Sequence, residues 1–224
     1  MRLLPSLTAF LLLLCCTAPA QNAPPVIQPL PWTAPDGSVQ LWNGRDITGW
    51  TLFLKGGIPA PPDFWTVTAD GALHFAGKPT GYLRTDKVYS NYHLHAEWRW
   101  MGPPKASTNN SGIFVFQHPP DVVWPYSVQV QVKFGFSGDL ISQGGLLFAA
   151  PLPNPTIKKL APPNENTQGQ WNADDIYCRG ASLEVFVNSV RQNFVDKLPT
   201  DSGQIALQVE GYPIEFRNLW LQPL

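Results

Sequence analysis

The chain has 224 residues and a formal net charge of −1, with 15 basic and 16 acidic side chains. Aromatic residues make up 12% of it, nine tryptophans among them, whereas charged residues make up only 14%. This balance excludes the strongly basic surface through which proteins bind nucleic acid or anionic membranes, so we expect neither as a partner. The length fits one domain, and composition says nothing about the oligomeric state.

The first 20 residues predict a signal peptide. Arg2 is followed by an apolar run from Leu7 to Cys16 and then by Ala18-Pro19-Ala20, a cleavage pattern of small residues. The run is shorter than the roughly 20 residues that a membrane-spanning helix needs, so we expect no permanent span. A lipoprotein anchored through Cys15 or Cys16 is the less favoured alternative, because leucines precede them. We therefore predict export to the periplasm or the medium.

Residues 21–37 follow as a predicted extended leader. This stretch holds five prolines and ends in Pro35-Asp36-Gly37, a composition that continues neither a helix nor a central strand. Once the signal peptide is removed, Cys178 is the only cysteine, so no intramolecular disulfide forms. The domain must therefore be held together by packing.

Residues 38–224 predict a single all-β domain, a two-sheet antiparallel sandwich. Short β-branched and aromatic runs alternate with turn residues, and no helical or heptad period extends over any length. Proline-rich breaks predict loops at 56–63, 102–110, 119–125 and 151–169.

Three predicted strands carry different chemistry on their two faces, because successive strand residues point to opposite sides. One set is apolar, and the other comprises His93, His95, Glu97 and Arg99 in 92–100, Ser127, Gln129, Gln131 and Lys133 in 126–133, and Gln204, Ala206, Gln208 and Glu210 in 204–210. If these strands lie in one sheet, their second faces form one continuous polar surface.

A solvated sheet face is one interpretation of that surface, since antiparallel sheets often have one. Its composition favours another, because it is rich in amides, histidine and arginine, with tryptophans nearby. Amides and guanidinium groups form directional hydrogen bonds with hydroxyls, and aromatic rings stack on sugar rings. We therefore predict a carbohydrate groove.

Five stretches carry a family resemblance: LWNGRDITGW (41–50), FWTVTADGALH (64–74), GYLRTDKVYSNYHLHAEWRW (81–100), NNSGIFVFQ (109–117) and QIALQVEGYPIEFRNLWLQPL (204–224). In order and spacing they resemble the secreted bacterial family of 3-keto-disaccharide hydrolases, from about Val39 to Leu224. The resemblance implies a jelly roll of the lectin or glucanase type, and an enzyme that acts on the glycosidic bond of 3-keto sugars.

Ordinary two-carboxylate glycoside hydrolysis is disfavoured, because the chain has no Glu-x-Asp-x-x-Glu run. The resemblance implies instead that a base removes the proton beside a C3 ketone, after which the glycosidic oxygen leaves and water adds back. We predict Glu97 as the base, with a histidine as the alternative, and Arg99 as the group that stabilises the enolate. The predicted substrate-binding residues are His95, Asn110, Gln129, Gln131 and Gln208.

A divalent metal in place of Arg99 is a further alternative, with His93 and His95 as candidate ligands. Two histidines at this spacing are weak evidence for a metal.

The sequence departs from the family pattern at three polar positions. Ser127, Val132 and Glu210 stand where relatives typically have Glu, Asp and His, whereas the matching residues are Glu97, Arg99, Asn110, Ser111, Gly112 and Gln129. Two hypotheses therefore remain: an exported 3-keto-glycoside hydrolase or lyase, and a non-catalytic carbohydrate-binding jelly roll.

Overall fold

The computed structural model describes residues 34–102, 109–148 and 155–224. The predicted signal peptide and most of the predicted leader lie outside this part of the chain. Within it the strands are β1 Val39–Gln40, β2 Trp50–Leu54, β3 Trp65–Val67, β4 Leu73–Phe75, β5 Gly81–Thr85, β6 Tyr89–Ser90, β7 Tyr92–Trp100, β8 Gly112–Gln117, β9 Ser127–Gln131, β10 Leu140–Gln143, β11 Thr156–Ile157, β12 Asn172–Arg179, β13 Ser182–Val187, β14 Val190–Val195, β15 Ser202–Val209 and β16 Ile214–Pro223.

The strands form two eight-stranded sheets. The first, which we call the histidine sheet after His93 and His95, has the order β14-β13-β12-β7-β16-β4-β3, with β1 beside β16. The second, the amide sheet, is named after Gln129, Gln131 and Gln208 and has the order β11-β10-β9-β8-β15-β5-β2, with β6 beside β15. The paired strands run antiparallel, so the predicted two-sheet antiparallel sandwich is confirmed.

The core lies between the two sheets and follows the predicted alternation. Leu94 and Trp98 of β7 and Val128 and Val130 of β9 belong to one buried cluster. Burying a side chain of this size contributes about 1.5–3 kcal/mol, so the inner faces supply most of the favourable free energy of folding. The polar residues of the same strands are left on the two outer faces.

One continuous polar surface was expected if the three strands lay in one sheet, and this condition is not met, because β7 belongs to the histidine sheet and β9 and β15 to the amide sheet. β7 pairs with β12 and β16, whereas β9 and β15 both pair with β8. The polar side of β7 is the outer face of the histidine sheet, and that of β9 and β15 is the outer face of the amide sheet. The core separates the two.

The two ends of the domain meet at the last strand. β1 pairs with β16, and the backbone N–H groups of Leu41 and Trp42 both donate to the carbonyl oxygen of Leu219. In the described residues no helix is long and apolar enough to cross a membrane.

Candidate functional site

A pocket of about 210 Å³ lies on the outer face of the amide sheet. We call it the amide pocket, and its lining residues are Asn110, Trp124, Gln129, Gln131, Ile141, Gln143 and Glu210.

Strand register brings the floor of this pocket together, because directly opposed residues of antiparallel strands point to the same side. Gln131 of β9 lies opposite Gly112 of β8, and Gln129 lies between Phe114 of β8 and Ile141 of β10. A side chain at Gly112 would collide with this arrangement, since a Cβ there would lie 2.6 Å from Cγ and Nε2 of Gln129. Gly112 therefore leaves the space in which the Gln129 side chain lies across β8.

The glutamine side chains are linked into a chain of hydrogen bonds. Gln143 donates through Nε2 to Oε1 of Gln129 at 2.6 Å. Gln129 in turn donates through Nε2 to Oε1 of Gln131 and to Oε1 of Gln208, both at 3.1 Å. Hydrogen bonds between buried amides fix their orientations, so these side chains are positioned before any ligand enters.

Glu210 lies where this chain ends. Its Oε2 accepts hydrogen bonds from Nε2 of Gln208 at 2.9 Å and from Nδ2 of Asn110 at 2.8 Å. Burial raises the pKa of its carboxyl group, against the opposing effect of the Lys133 charge and of the bond from Gln208. A half-buried carboxylate of raised pKa in a pocket can accept and return a proton.

Four predicted substrate-binding residues therefore come together here: Asn110, Gln129 and Gln131 line the pocket, and Gln208 lies beneath it, bonded to Glu210. Trp124 and Gln143 were not predicted from the sequence, and Glu210 was identified there only as a departure from the family pattern. The signals that could have found them are weak, because Trp124 lies in a proline-rich loop and Gln143 at the end of a four-residue strand.

Glu97, the predicted base, lies on the other outer face and is 1% exposed. Its Oε2 accepts from Nε of Arg217 at 2.6 Å and its Oε1 from Nδ2 of Asn218 at 2.7 Å. Although burial raises its pKa, hydrogen bonds from His95, Asn218 and Arg217 lower it below its usual value. A buried carboxylate of lowered pKa, with both oxygens bonded, favours a structural role.

Arg99, the predicted enolate stabiliser, also lies on the histidine sheet. Its guanidinium donates through Nε and Nη2 to Oε2 of Glu215 at 2.7 and 2.6 Å. The same group stacks on Trp171, with Cζ 4.3 Å from the ring centroid. The structure therefore does not bring Arg99 to the amide pocket.

His93 and His95 contact a shared carboxylate. His93 Nε2 and His95 Nδ1 lie 2.8 and 2.9 Å from the same oxygen, Oδ1 of Asp175. His93 stacks on Tyr177 and His95 on Trp220, with ring centroids 4.2 and 4.9 Å apart. The described residues contain no group of three or more His, Cys, Asp or Glu side chains placed to hold a metal ion, so this pair does not fit the predicted metal site.

Only one of the three positions that depart from the family pattern lines the pocket. Val132 packs in the hydrophobic core, and Ser127 is buried with its Oγ donating to the carbonyl oxygen of Pro125 at 3.0 Å. Glu210 alone faces the pocket.

Solved structures share this architecture. A candidate glycosyl hydrolase from Parabacteroides distasonis is 19% identical with a TM-score of 0.62, and the match covers 84% of this chain and 94% of that one. A Bacillus licheniformis β-glucanase is 12% identical with a TM-score of 0.56, covering 83% of this chain and 96% of that one. A carbohydrate-binding module from Bacillus subtilis is 12% identical with a TM-score of 0.55, covering 76% and 93%.

At these identities the likeness shows the fold, a jelly roll of the glucanase and lectin type. None of the curated proteins matches the chain. The family described as the 3-keto-alpha-glucoside-1,2-lyase-like domain matches residues 37–222, and this protein belongs to that family.

Proposed function

We propose that this protein is an exported enzyme that cleaves the glycosidic bond of a 3-keto-disaccharide or 3-keto-glycoside in the amide pocket. Membership of a carbohydrate-active, glycosyl-hydrolase-like family supports the substrate class. The observation that carries the proposal is the position of Glu210, the one carboxylate among the lining residues of the pocket.

The reaction needs one proton-transfer group and a polar floor. A ketone at C3 makes the C2 proton acidic, and removal of that proton forms an enolate. The enolate collapses with formation of the C1–C2 double bond and departure of the glycosidic oxygen from C1, which takes up a proton. Addition of water across the double bond then gives the net products of hydrolysis.

Glu210 supplies the proton transfers in this scheme. Burial raises its pKa, which makes the ionised carboxylate a stronger base, and the proton that it accepts can pass to the departing oxygen. Negative charge on the enolate oxygen is stabilised by amide N–H donors of the floor and by the nearby Lys133 charge, which also acts on Glu210. This assignment replaces Glu97 and Arg99, which lie on the other sheet.

Two-carboxylate hydrolysis fits the pocket poorly. That mechanism needs a second carboxyl group about 5–9.5 Å from the first, and the remaining lining residues are amides, Trp124 and Ile141. Elimination beside a ketone needs one carboxylate, because the ketone supplies the acidity of the proton.

The test measures the release of free monosaccharide from two substrates, 3-keto-trehalose and trehalose. Three proteins are compared: the unaltered protein, the Glu210→Gln variant and the Glu97→Gln variant. We expect cleavage of the keto sugar only. We expect Glu210→Gln to lower kcat by about 100-fold or more while sugar binding persists, since general base catalysis contributes about 10²–10⁴-fold. Glu97→Gln should retain kcat.

The opposite pattern, loss of turnover in folded Glu97→Gln and retention in Glu210→Gln, would return catalysis to the histidine sheet. Sugar binding without cleavage of either substrate would identify the domain as a carbohydrate-binding module.

Export is part of the same proposal and rests on the apolar run and the Ala18-Pro19-Ala20 pattern. Protein recovered from the periplasm of a Gram-negative host should begin at Gln21, as amino-terminal sequencing would establish. Full-length protein retained in the cytoplasm would contradict it.

A further inference from the structure

One edge of the amide pocket is formed by a short proline-rich loop, residues 118–126, which we call the Trp124 loop. Its ends are joined by a backbone hydrogen bond of 2.9 Å from the N–H of His118 to the carbonyl oxygen of Tyr126. Trp124 projects from the loop and is one of the lining residues of the pocket. The hydrogen bond therefore closes the loop at its base, and the Trp124 indole lines the amide pocket.

Trp124 is 41% exposed, an unusual environment for the largest apolar side chain. The described residues contain no aromatic ring stacked against it. Ile141 is the other apolar side chain of the lining, and the remaining members are amides and Glu210. The pocket thus joins an apolar wall to a floor of hydrogen-bonding groups.

The Trp124 loop is fixed to the sheet by a clamp three residues from the indole. Asp121 accepts from Nε and Nη2 of Arg84 at 2.8 and 2.9 Å and from the hydroxyl of Tyr82 at 2.9 Å. The hydrogen bonds from Arg84 lower the pKa of Asp121, so the clamp stays ionised over a wide pH range. A two-pronged arginine–carboxylate contact also fixes orientation.

We propose that Trp124 is the stacking platform for one neutral pyranose ring of the ligand, and that the contact of Arg84 and Tyr82 with Asp121 positions it. A pyranose ring has an apolar face that packs on an indole and hydroxyls at its edge that meet the amides. The pocket, at about 210 Å³, is below the usual range for drug-sized ligands and suits one ring. This inference rests on the proposed function only in taking the pocket as a carbohydrate site.

The test measures binding of trehalose and of 3-keto-trehalose by calorimetry, in the full chain carrying Glu210→Gln so that cleavage does not interfere. Trp124→Ala should weaken binding about 5- to 10-fold, whereas Trp124→Phe, which keeps an aromatic face, should remain within about 3-fold. Phe194→Ala is the matched control, because Phe194 is 44% exposed and lies in β14 of the histidine sheet, away from the amide pocket. It should leave the dissociation constant unchanged.

The clamp is tested through its effect on Trp124. Asp121→Asn removes the negative charge to which Arg84 bonds, so we expect faster amide hydrogen exchange across 118–126 and weaker sugar binding in a protein that remains folded at the assay temperature. Asp121→Glu should restore part of the affinity. In protein that retains Glu210, Asp121→Asn should raise KM and leave kcat within about 2-fold.

Unchanged affinity in folded Trp124→Ala would overturn the platform, as would an equal loss in Phe194→Ala or a failure of the parent protein to bind either sugar. Weaker binding by Trp124→Ala in a protein that cleaves neither sugar would support the platform while the proposed chemistry fails. Cleavage of the keto sugar by Trp124→Ala with an unaltered KM would support the proposed chemistry and contradict the platform.

Discussion

Asp174 shows at the scale of one residue how the core tolerates a carboxyl group. It lies on the inner side of β12, fully buried, and its Oδ1 accepts from Nε1 of Trp98 at 2.9 Å. Burial raises its pKa to about 7, against the opposing effect of the bond from Trp98. The folded protein therefore keeps a proton on this group over a pH range in which the unfolded chain has released it.

The contribution of Asp174 to stability should consequently fall as the pH rises from about 4 to about 7 and then level off, because its folded-state pKa lies above the unfolded value. Asp174→Asn keeps an acceptor for Trp98 and removes the charge. We expect it to raise the free energy of unfolding by about 1–3 kcal/mol at pH 8, with little change at pH 4. Urea unfolding at both pH values is the measurement.

Asp196→Asn serves as the control, since Asp196 is exposed. If the stability of Asp174→Asn changed between pH 4 and pH 8 as much as that of the parent, Asp174 would not be the source of the pH dependence.

Residues of the pocket were predicted to different extents. Gln129, Gln131 and Gln208 stand at alternate positions within strands, so their shared face was visible in the sequence. The role of Glu97 was not visible, because a carboxylate is a base or a structural acceptor according to its partners. Those partners, Arg217 and Asn218, are more than 100 residues away in the chain.

At the scale of elements, an irregularity in β16 explains how Glu97 is held. The pairing of β16 with β7 shifts between Arg217 and Trp220, and Asn218 has a φ of 48°. In a regular strand, consecutive residues point to opposite sides, so Arg217 and Asn218 would not reach one carboxylate. The bulge removes this alternation and lets both side chains bond Glu97.

Replacing Glu97 should therefore weaken the contact between β7 and β16. We expect Glu97→Gln to lower the free energy of unfolding by about 1–3 kcal/mol, because one buried acceptor is lost while Arg217, about a third exposed, keeps part of its hydration. Urea unfolding at pH 7 is the measurement.

Glu184→Gln is the matched control, since Glu184 pairs with the half-exposed Arg191 and its loss should cost below about 1 kcal/mol. Equal losses in the two variants would show that the bulge adds nothing to the contact.

At the scale of the whole molecule, the sequence predicted the class of fold and missed the distribution of its strands. Alternation shows which residues of a strand share a face, whereas the choice of neighbouring strand depends on long-range pairing. Thus the polar residues of β7 and β9 were each assigned correctly to one face, yet the sandwich places them on opposite outer surfaces. The amide pocket accordingly draws its predicted residues from one sheet only.

The hydrogen bonds of the amide floor all run in one direction. Gln143 donates to Gln129, Gln129 donates to Gln208, and Gln208 donates to Glu210. This line of hydrogen bonds leaves Gln131 Nε2 without a bonded partner in the described part of the chain, whereas Glu210 Oε1 is an acceptor. A hydroxyl can meet either group, but a carbonyl oxygen only accepts. We therefore expect a keto sugar to bind in one orientation, with its ketone at the Gln131 end, and its hydroxyl-bearing parent in either.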